Sequence, residues 1–338
     1  MTDRAAEISA FLTAAGWGQA QRRHLAGDAS DRRYERLRLG AATAVLMDNP
    51  PGGVDDPAAF ANMARHLRGL DLSAPAILAE DLGHGLLLLE DLGDDLFARL
   101  LQTDPTREAD LCAPAVDVLL HLQRAATPPG LPNLSAADWA GAAGFALDWY
   151  ACAATGQKSD AKPFVAILTA ALQAHADGPR VLILRDYHAE NLLWLPGREG
   201  LKRVGVLDFQ LGQLGQPGYD LVSLLQDARR DVAPETEAAM IARFVATRGE
   251  DPETFAAQYA TLGAQRALRI LGVFARLCLV AGKPHYLRLV PRVWSQLQRN
   301  LAHPALADLR AICDATLPVP TPEILQKIEQ QCPASPSR

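Results

Sequence analysis

Residues 184–195 read LRDYHAENLLWL, and the run leading into them from Pro179 is PRVLI. An apolar, strand-like stretch ends in Arg185-Asp186, and five positions later Asn191 precedes a second apolar run. Read alone, this is strand, turn, strand, because Asp and Asn both favour turns through local side-chain bonds. The sequence downstream decides against stopping there.

Twenty-two positions after Asp186, the stretch VLDFQ sets Asp208 at the end of another apolar run. Phosphoryl transfer needs one carboxylate to take up or orient a hydroxyl proton. It also needs a second carboxylate and an amide oxygen to hold Mg²⁺ against the phosphates. Asp186, Asp208 and Asn191 supply that set if the two strands, VLILRD and VGVLDF, pair and bring their ends together. Any one of the three is equally well explained as a strand-end turn residue, so the argument rests on the ordered set. Next comes GYDLVSLLQDARRDV, in which Asp220 opens an apolar helical run and suits the N-terminal helix dipole.

The rest of the chain is consistent with a two-part architecture. With 338 residues, 49% hydrophobic and 21% charged, it has the make-up of a soluble globular protein of about two domains. A net charge of −6 and the lack of any basic block argue against nucleic acid. Five cysteines without CxxC spacing read as buried thiols and demand no oxidising compartment. No apolar run is long enough for a membrane span or a signal peptide, so a cytoplasmic protein is expected.

Helical periodicity over RAAEISAFLTAAGW precedes three strands, near residues 22–26, 34–39 and 44–47. A helix starting at Asp56 or Pro57 follows, then two strands in APAILAED and GLLLLEDLG. After EDLGDDLFARLL, long helical patterns dominate, including READLCAPAVDVLLHLQRA and AADWAGAAGFALDWYACA. The expected fold class is α+β and bilobal. A small N-terminal lobe with an antiparallel sheet (1–92, hinge near 88–94) joins a larger, mainly helical lobe (93–338). In the first lobe, the turn in LAGDASDRRYERL could cradle phosphate oxygens with backbone N–H groups from Gly27 onward and the Ser30 hydroxyl. An extended backbone at LLLLEDLG could offer the Glu90 C=O and Leu92 N–H to an adenine edge.

GDASDRRY, LLLEDLG, RDYHAEN, VLDFQ and GQPGYDLVSLL stand in the order and at the spacing of the aminoglycoside phosphotransferase/choline kinase-like family, which the chain resembles over nearly its whole length. GDASDRRYERL, VLMDNPP, RDYHAENLLWL and PGYDLVSLLQDARRDV further resemble bacterial anomeric amino-sugar kinases of cell-wall recycling. That resemblance implies a protein-kinase-like fold, ATP and Mg²⁺, and phosphorylation of the C1 hydroxyl of N-acetylmuramate or N-acetylglucosamine. It implies Asp186 as catalytic base and Asn191 and Asp208 as metal ligands. Gly27 and Ser30 would lie over the phosphates, Glu90 and Leu92 at the hinge, and Asp220 would brace the catalytic loop. The implied partners are ATP and a small amino sugar, with neither nucleic acid nor membrane.

Two departures from the wider kinase pattern stand out. Leu184 occupies the place of a loop histidine, and Met47 the place of the strand lysine that pairs with nucleotide phosphates. No lysine precedes Lys158, and the helix DPAAFANMARHLRGL has no glutamate to partner one. Both halves of an ion pair are missing together, which is tolerable where losing one half is not. Arg32 or Arg33, beside the phosphate turn, is the candidate replacement cation. Candidate sugar contacts are His188, Glu190, Gln210, Arg229 and Arg230, the arginines suiting the lactyl carboxylate of muramate. A kinase of another alcohol (aminoglycoside, choline or homoserine) and a nucleotide-binding module without turnover are the alternatives.

Overall fold

The computed structural model describes residues 4–26, 32–52 and 56–333. They form two compact units, Met1–Pro128 with Ala189–Gly212 and Pro129–His188 with Gln213–Arg338.

The first unit opens with helix α1 (Arg4–Ala14) and strands β1 (Gln21–Ala26), β2 (Arg33–Leu39) and β3 (Ala42–Asp48). Helix α2 (Pro57–Gly69) follows, then β4 (Ile77–Asp81) and β5 (Leu86–Glu90). The five strands make one antiparallel sheet in the order β1-β2-β3-β5-β4. Because side chains alternate along a strand, each strand here has two destinations. Leu37, Ala44, Leu46, Leu86 and Leu88 pack with Ile8 and Leu12 of α1 to form one core. Tyr34, Arg36, Val45, Met47, Leu87 and Leu89 have the opposite parity and share the other face, with Tyr34 opposite Met47 and Arg36 opposite Val45.

Helix α2 begins where the sequence places it. The Asp56 carboxylate accepts the Ala58 N–H at 2.8 Å, and Pro57 fills the first turn, where no amide proton is needed. Its apolar residues Phe60, Ala61, Met63, Ala64 and Leu67 recur at helical spacing and are all buried. One turn is built around a glycine. Gly85 has φ +67°, and a Cβ there would lie 1.8 Å from the Asn49 carbonyl oxygen. The unit continues through α3 (Phe97–Thr103) and α4 (Glu108–Leu122), and takes in the hairpin of β7 (Leu192–Trp194) and β8 (Val204–Val206).

The second unit is mainly helical. It contains α5 (Ala136–Ala143), α6 (Cys152–Thr155), α7 (Lys162–His175), α8 (Tyr219–Leu225), α9 (Pro234–Arg248), α10 (Pro252–Ala281), α11 (Val290–Leu301), α12 (Ala307–Thr316) and α13 (Pro322–Glu329). A small antiparallel pair, β6 (Val181–Ile183) with β9 (Gln213–Gly215), completes it. Helix α10 is the axis of the unit. Asp251 caps the Thr254 N–H at 2.8 Å, Pro252 opens the helix, and Gly282 at φ +63° closes it.

The continuous helix expected over AADWAGAAGFALDWYACA is divided by a π-helical turn at Ala146–Ala151. Just before that turn, a Cβ on Gly272 of α10 would sit 2.2 Å from the Phe145 carbonyl carbon. Here the two backbones meet directly, a packing constraint absent from the local pattern. Among the described residues no helix is long and apolar enough to cross a membrane, and all five cysteines are free.

Candidate active site

In the second unit, β6 ends at Ile183, paired with Gln213 of β9, and the chain then turns. Asp220, in the first turn of α8 and fully buried, accepts the N–H of Leu184 at 2.6 Å and of Arg185 at 2.8 Å. Arg185 is held at φ +73°, a left-handed conformation that ordinary residues rarely adopt. Two further bonds, Asp186 N–H to Leu184 C=O at 2.9 Å and His188 N–H to Asp186 C=O at 3.2 Å, tighten the turn. Burial pushes the Asp220 carboxyl up to about 7, against the downward pull of those N–H groups and of Arg266. Leu184 is buried, so an apolar side chain fills the place of the missing histidine.

His188 is buried, and its Nε2 lies 3.3 Å from Arg229 Nη1. Burial lowers its pKa to about 4. Asp227 and Asp186 oppose that shift, while Arg229 and Arg266 reinforce it. Arg266 is itself fixed by Ser223 Oγ at 2.9 Å and the Gln226 carbonyl at 3.1 Å.

In the first unit the β7–β8 hairpin does the positioning. Asn191 immediately precedes β7 and Asp208 follows β8 by two residues, and the Leu207 N–H donates to the Asn191 carbonyl at 2.9 Å. Both residues line a cavity of about 340 Å³ together with Tyr34, Val45, Phe60, Leu89, Glu190 and the segment Glu90–Asp94. Its apolar walls with a few converging polar groups are what a flat small-molecule ligand requires.

Asp208 stands at φ +55°. Its Oδ1 accepts Gln210 Nε2 at 2.7 Å and lies 3.4 Å from Arg32 Nη2, while the carboxylate remains 41% exposed. Phe209 points the other way and stacks on Phe60, ring centres 4.9 Å apart. Arg32 is buried, and its Nη1 also reaches the Tyr34 hydroxyl at 3.4 Å. Arg33 is exposed. Met47 is completely buried on the sheet face that Val45 and Leu89 turn to the cavity.

The sequence-derived candidates are therefore distributed as follows. Asn191, Asp208, Glu190, Glu90 and Leu92 line one cavity. Glu90 places its side chain among Arg198 at 2.5 Å, Arg68 at 3.4 Å and the Ala76 N–H at 3.1 Å. Gln210 is engaged with Asp208, and Arg229 with His188. Arg230 is half-buried. Gly27 and Ser30 lie outside the described residues.

One expectation is corrected. VLILRD and VGVLDF do not pair with each other, since β6 pairs with β9 and β8 with β7. Asn191 and Asp208 are brought together by the local hairpin, whose strands are joined through residues 195–203. The sequence reading also missed Arg36. From β2 it grips Asp91 at 2.9 Å, Asp94 at 2.6 Å and the Gly93 carbonyl at 3.2 Å, fixing the segment that lines the cavity. Its signal was available, because an arginine with the parity of Tyr34 faces an acidic EDLGDD run.

The chain matches the model of the phosphotransferase enzyme family over residues 21–257. It is 41% identical to N-acetylmuramate/N-acetylglucosamine kinase of Caulobacter vibrioides, covering 95% of this chain and 98% of that one. It is 33% identical to the protein of the same name in Pseudomonas aeruginosa, covering 91% and 93%. Its fold is that of a solved aminoglycoside phosphotransferase, APH(4)-Ia, in ternary complex with AMP-PNP and hygromycin B. That likeness has a TM-score of 0.59 at 15% identity, covering 88% of this chain and 99% of that one. In sequence and in fold alike, the chain belongs to the phosphotransferase enzyme family, as a small-molecule kinase.

Proposed function

We propose that this kinase transfers the γ-phosphoryl group of ATP to the C1 hydroxyl of N-acetylmuramate, N-acetylglucosamine or both, in the cytoplasm and in the service of peptidoglycan recycling. The observation that carries this reading is the 41% identity, end to end, with a kinase of that name. The braced turn before Asp186 in one unit, and the shared cavity wall of Asn191 and Asp208 in the other, each support it.

Asp186 is the base. The Asp220 bonds hold the preceding residues in a strained turn, which is the preorganisation a positioning catalyst needs. As the sugar O1 bonds to the γ-phosphorus and the bridging bond to ADP breaks, the O1 proton passes to the Asp186 carboxylate. An anomeric hydroxyl is more acidic than other sugar alcohols because the ring oxygen withdraws charge, so this base has little work to do.

Asn191 and Asp208 fit a Mg²⁺ ion. They offer an amide and a partly exposed carboxylate on one cavity wall, and Mg²⁺ typically takes few protein ligands and fills its shell with phosphate and water. When bound, the ion neutralises charge on the phosphates. Arg32 serves as the cation that the buried Met47 cannot provide, since its guanidinium already sits at Asp208. The Glu90–Leu92 backbone receives the adenine edge. The functional division follows this hinge, with residues 1–92 nucleotide-facing and 93–338 carrying the catalytic loop and sugar contacts.

The test is turnover of Mg-ATP with a panel of amino sugars by the intact protein and by Asp186→Asn and Asp208→Asn. Turnover confined to N-acetylmuramate or N-acetylglucosamine, and lost at least 1,000-fold in both variants, is expected (an order-of-magnitude figure for removing positioned acid–base or metal-binding groups). Turnover that survives Asp186→Asn contradicts the assignment of the base.

A further inference from the structure

Residues 90–95 read EDLGDD, four carboxylates in six positions, and Glu90, Asp91 and Asp94 line the same cavity as Asn191 and Asp208. Like charges this close repel one another, so the segment needs compensation to keep one shape. Its two ends are tied through the backbone. At one end the Glu90 N–H donates to the Ala76 carbonyl at 2.8 Å, and the Glu90 carboxylate accepts the Ala76 N–H at 3.1 Å. At the other, the Asp95 carbonyl accepts the Trp194 N–H of β7 at 2.8 Å.

Between those points lies the turn Asp91–Asp94, and one side chain from the sheet gathers it. Arg36 stands midway along β2, opposite Arg23 of β1 on one side and Val45 of β3 on the other, so both neighbouring strands fix its backbone. Its Nη1 donates to Asp94 Oδ2 at 2.6 Å. Its Nη2 donates to Asp91 Oδ1 at 3.0 Å and to the Gly93 carbonyl at 3.2 Å, and Nε lies 2.9 Å from Asp91 Oδ2. Asp91 Oδ1 also accepts the Gly93 N–H at 3.1 Å, so acid, glycine and guanidinium form one closed contact. Arg36, ahead of Arg99 and Arg23, holds the Asp94 carboxyl below its ordinary value. A rigid planar fork meets several acceptors at once in this way, whereas an ammonium is a single point charge. Leu92 stands between Asp91 and Gly93, the two residues that the fork fixes on either side, and so Arg36 sets where the Leu92 N–H points.

We propose that Arg36 is a positioning residue for the nucleotide base, holding the Leu92 N–H where adenine N1 can accept it, without itself touching the nucleotide. This role rests on the reading that the Glu90–Leu92 backbone receives the adenine edge. Without the fork the turn samples several shapes, and the apparent affinity falls by the fraction of time spent in the competent one. The effect belongs to binding and not to the chemical step. Asn191 and Asp208 are set by the β7–β8 hairpin, and Asp186 lies in the other unit.

The experiment measures, by calorimetry, dissociation constants of ATP, adenosine and 1-deazaadenosine, which has a C–H in place of N1, for wild type, Arg36→Met and Asp94→Asn. Wild type is expected to bind 1-deazaadenosine roughly tenfold more weakly than adenosine. Arg36→Met is expected to lose roughly tenfold on ATP and adenosine alike, and less than about threefold on 1-deazaadenosine. Its KM for ATP should rise in step, while kcat at saturating ATP and KM for the sugar stay within about twofold. The Asp94 side chain is 56% exposed, so Asp94→Asn leaves the fold intact while weakening one arm of the clip. It should lose roughly threefold on adenosine, and it carries the test if Arg36→Met does not fold. A loss on ATP without a loss on adenosine would mean that Arg36 only offsets charge, and would overturn the proposal. Unchanged adenosine binding in Arg36→Met, or in Asp94→Asn where Arg36→Met is unfolded, would overturn it too. Equal binding of adenosine and 1-deazaadenosine by the wild type would instead overturn the reading of the base edge, and this positioning role with it.

Discussion

Removal of the Asp220 carboxylate tests how the catalytic loop is held. This side chain is fully buried and accepts two backbone N–H groups, from Leu184 at 2.6 Å and Arg185 at 2.8 Å. Asp220→Ala leaves both donors unsatisfied inside the protein, at about 1–3 kcal/mol each. It also leaves the buried Arg266 charge with less compensation, which adds to the loss. The left-handed turn at Arg185 costs about 1–2 kcal/mol, which these bonds offset. Without them the segment gains by relaxing, so part of the penalty returns as disorder of Asp186.

The net expectation is a destabilisation of about 3–5 kcal/mol, combined with a fall in kcat that exceeds any change in KM for ATP. Urea unfolding followed by circular dichroism measures the first. Amide hydrogen exchange at Leu184 and Arg185 reports the loop directly, and both should lose protection before global unfolding. If Asp220→Ala unfolds within about 0.5 kcal/mol of wild type and keeps those amides protected, the bracing argument is wrong.

Three further outcomes follow from the geometry. Arg32→Ala should raise KM for ATP roughly tenfold or more, whereas Arg33→Ala should change it less than twofold, because only Arg32 is buried at Asp208; steady-state kinetics separates them. His188 is neutral in the folded state down to about pH 4, against an ordinary value of 6.5, so its contribution to stability is present above pH 6.5 and lost as pH falls through 4. Asp220 acts with the opposite sign between 4 and 7, but equally in both proteins, so the difference in unfolding free energy between wild type and His188→Gln should change by roughly 3 kcal/mol across pH 6.5 to 4. Gly85→Ala should cost about 2–4 kcal/mol by thermal or urea unfolding, since a Cβ there collides with the Asn49 carbonyl.

The sheet and the first helices were legible because their signals are local. Asp56-Pro57 marks a helix start by capping chemistry, and the apolar run AVLM in ATAVLMD, buried from Ala44 on, marks a strand whose side chains alternate between two faces. The same alternation also separates the two arginines. Leu37 points to the α1 core, so odd-numbered residues of β2 face that way and Arg32 shares the other face with Tyr34 and Arg36.

The strand pairing around the loop was less legible. β9 is three residues, QLG, in a Gly- and Gln-rich stretch with no strand propensity. The π-helical turn depends on Gly272, more than 100 positions away in sequence, and nothing near Phe145 announces it. Asp227 sits in DARRD, which reads as a solvated helix end. Its burial comes from tertiary packing that no neighbouring residue encodes.

Phosphorus NMR of the product reads directly which sugar carbon carries the phosphate. The protein, Mg-ATP and N-acetylmuramate or N-acetylglucosamine labelled with ¹³C at C1 should yield a single phosphomonoester whose ³¹P signal couples to C1 and to the anomeric proton. A product with phosphate on C6, or no phosphosugar despite bound ATP, would contradict phosphorylation at C1.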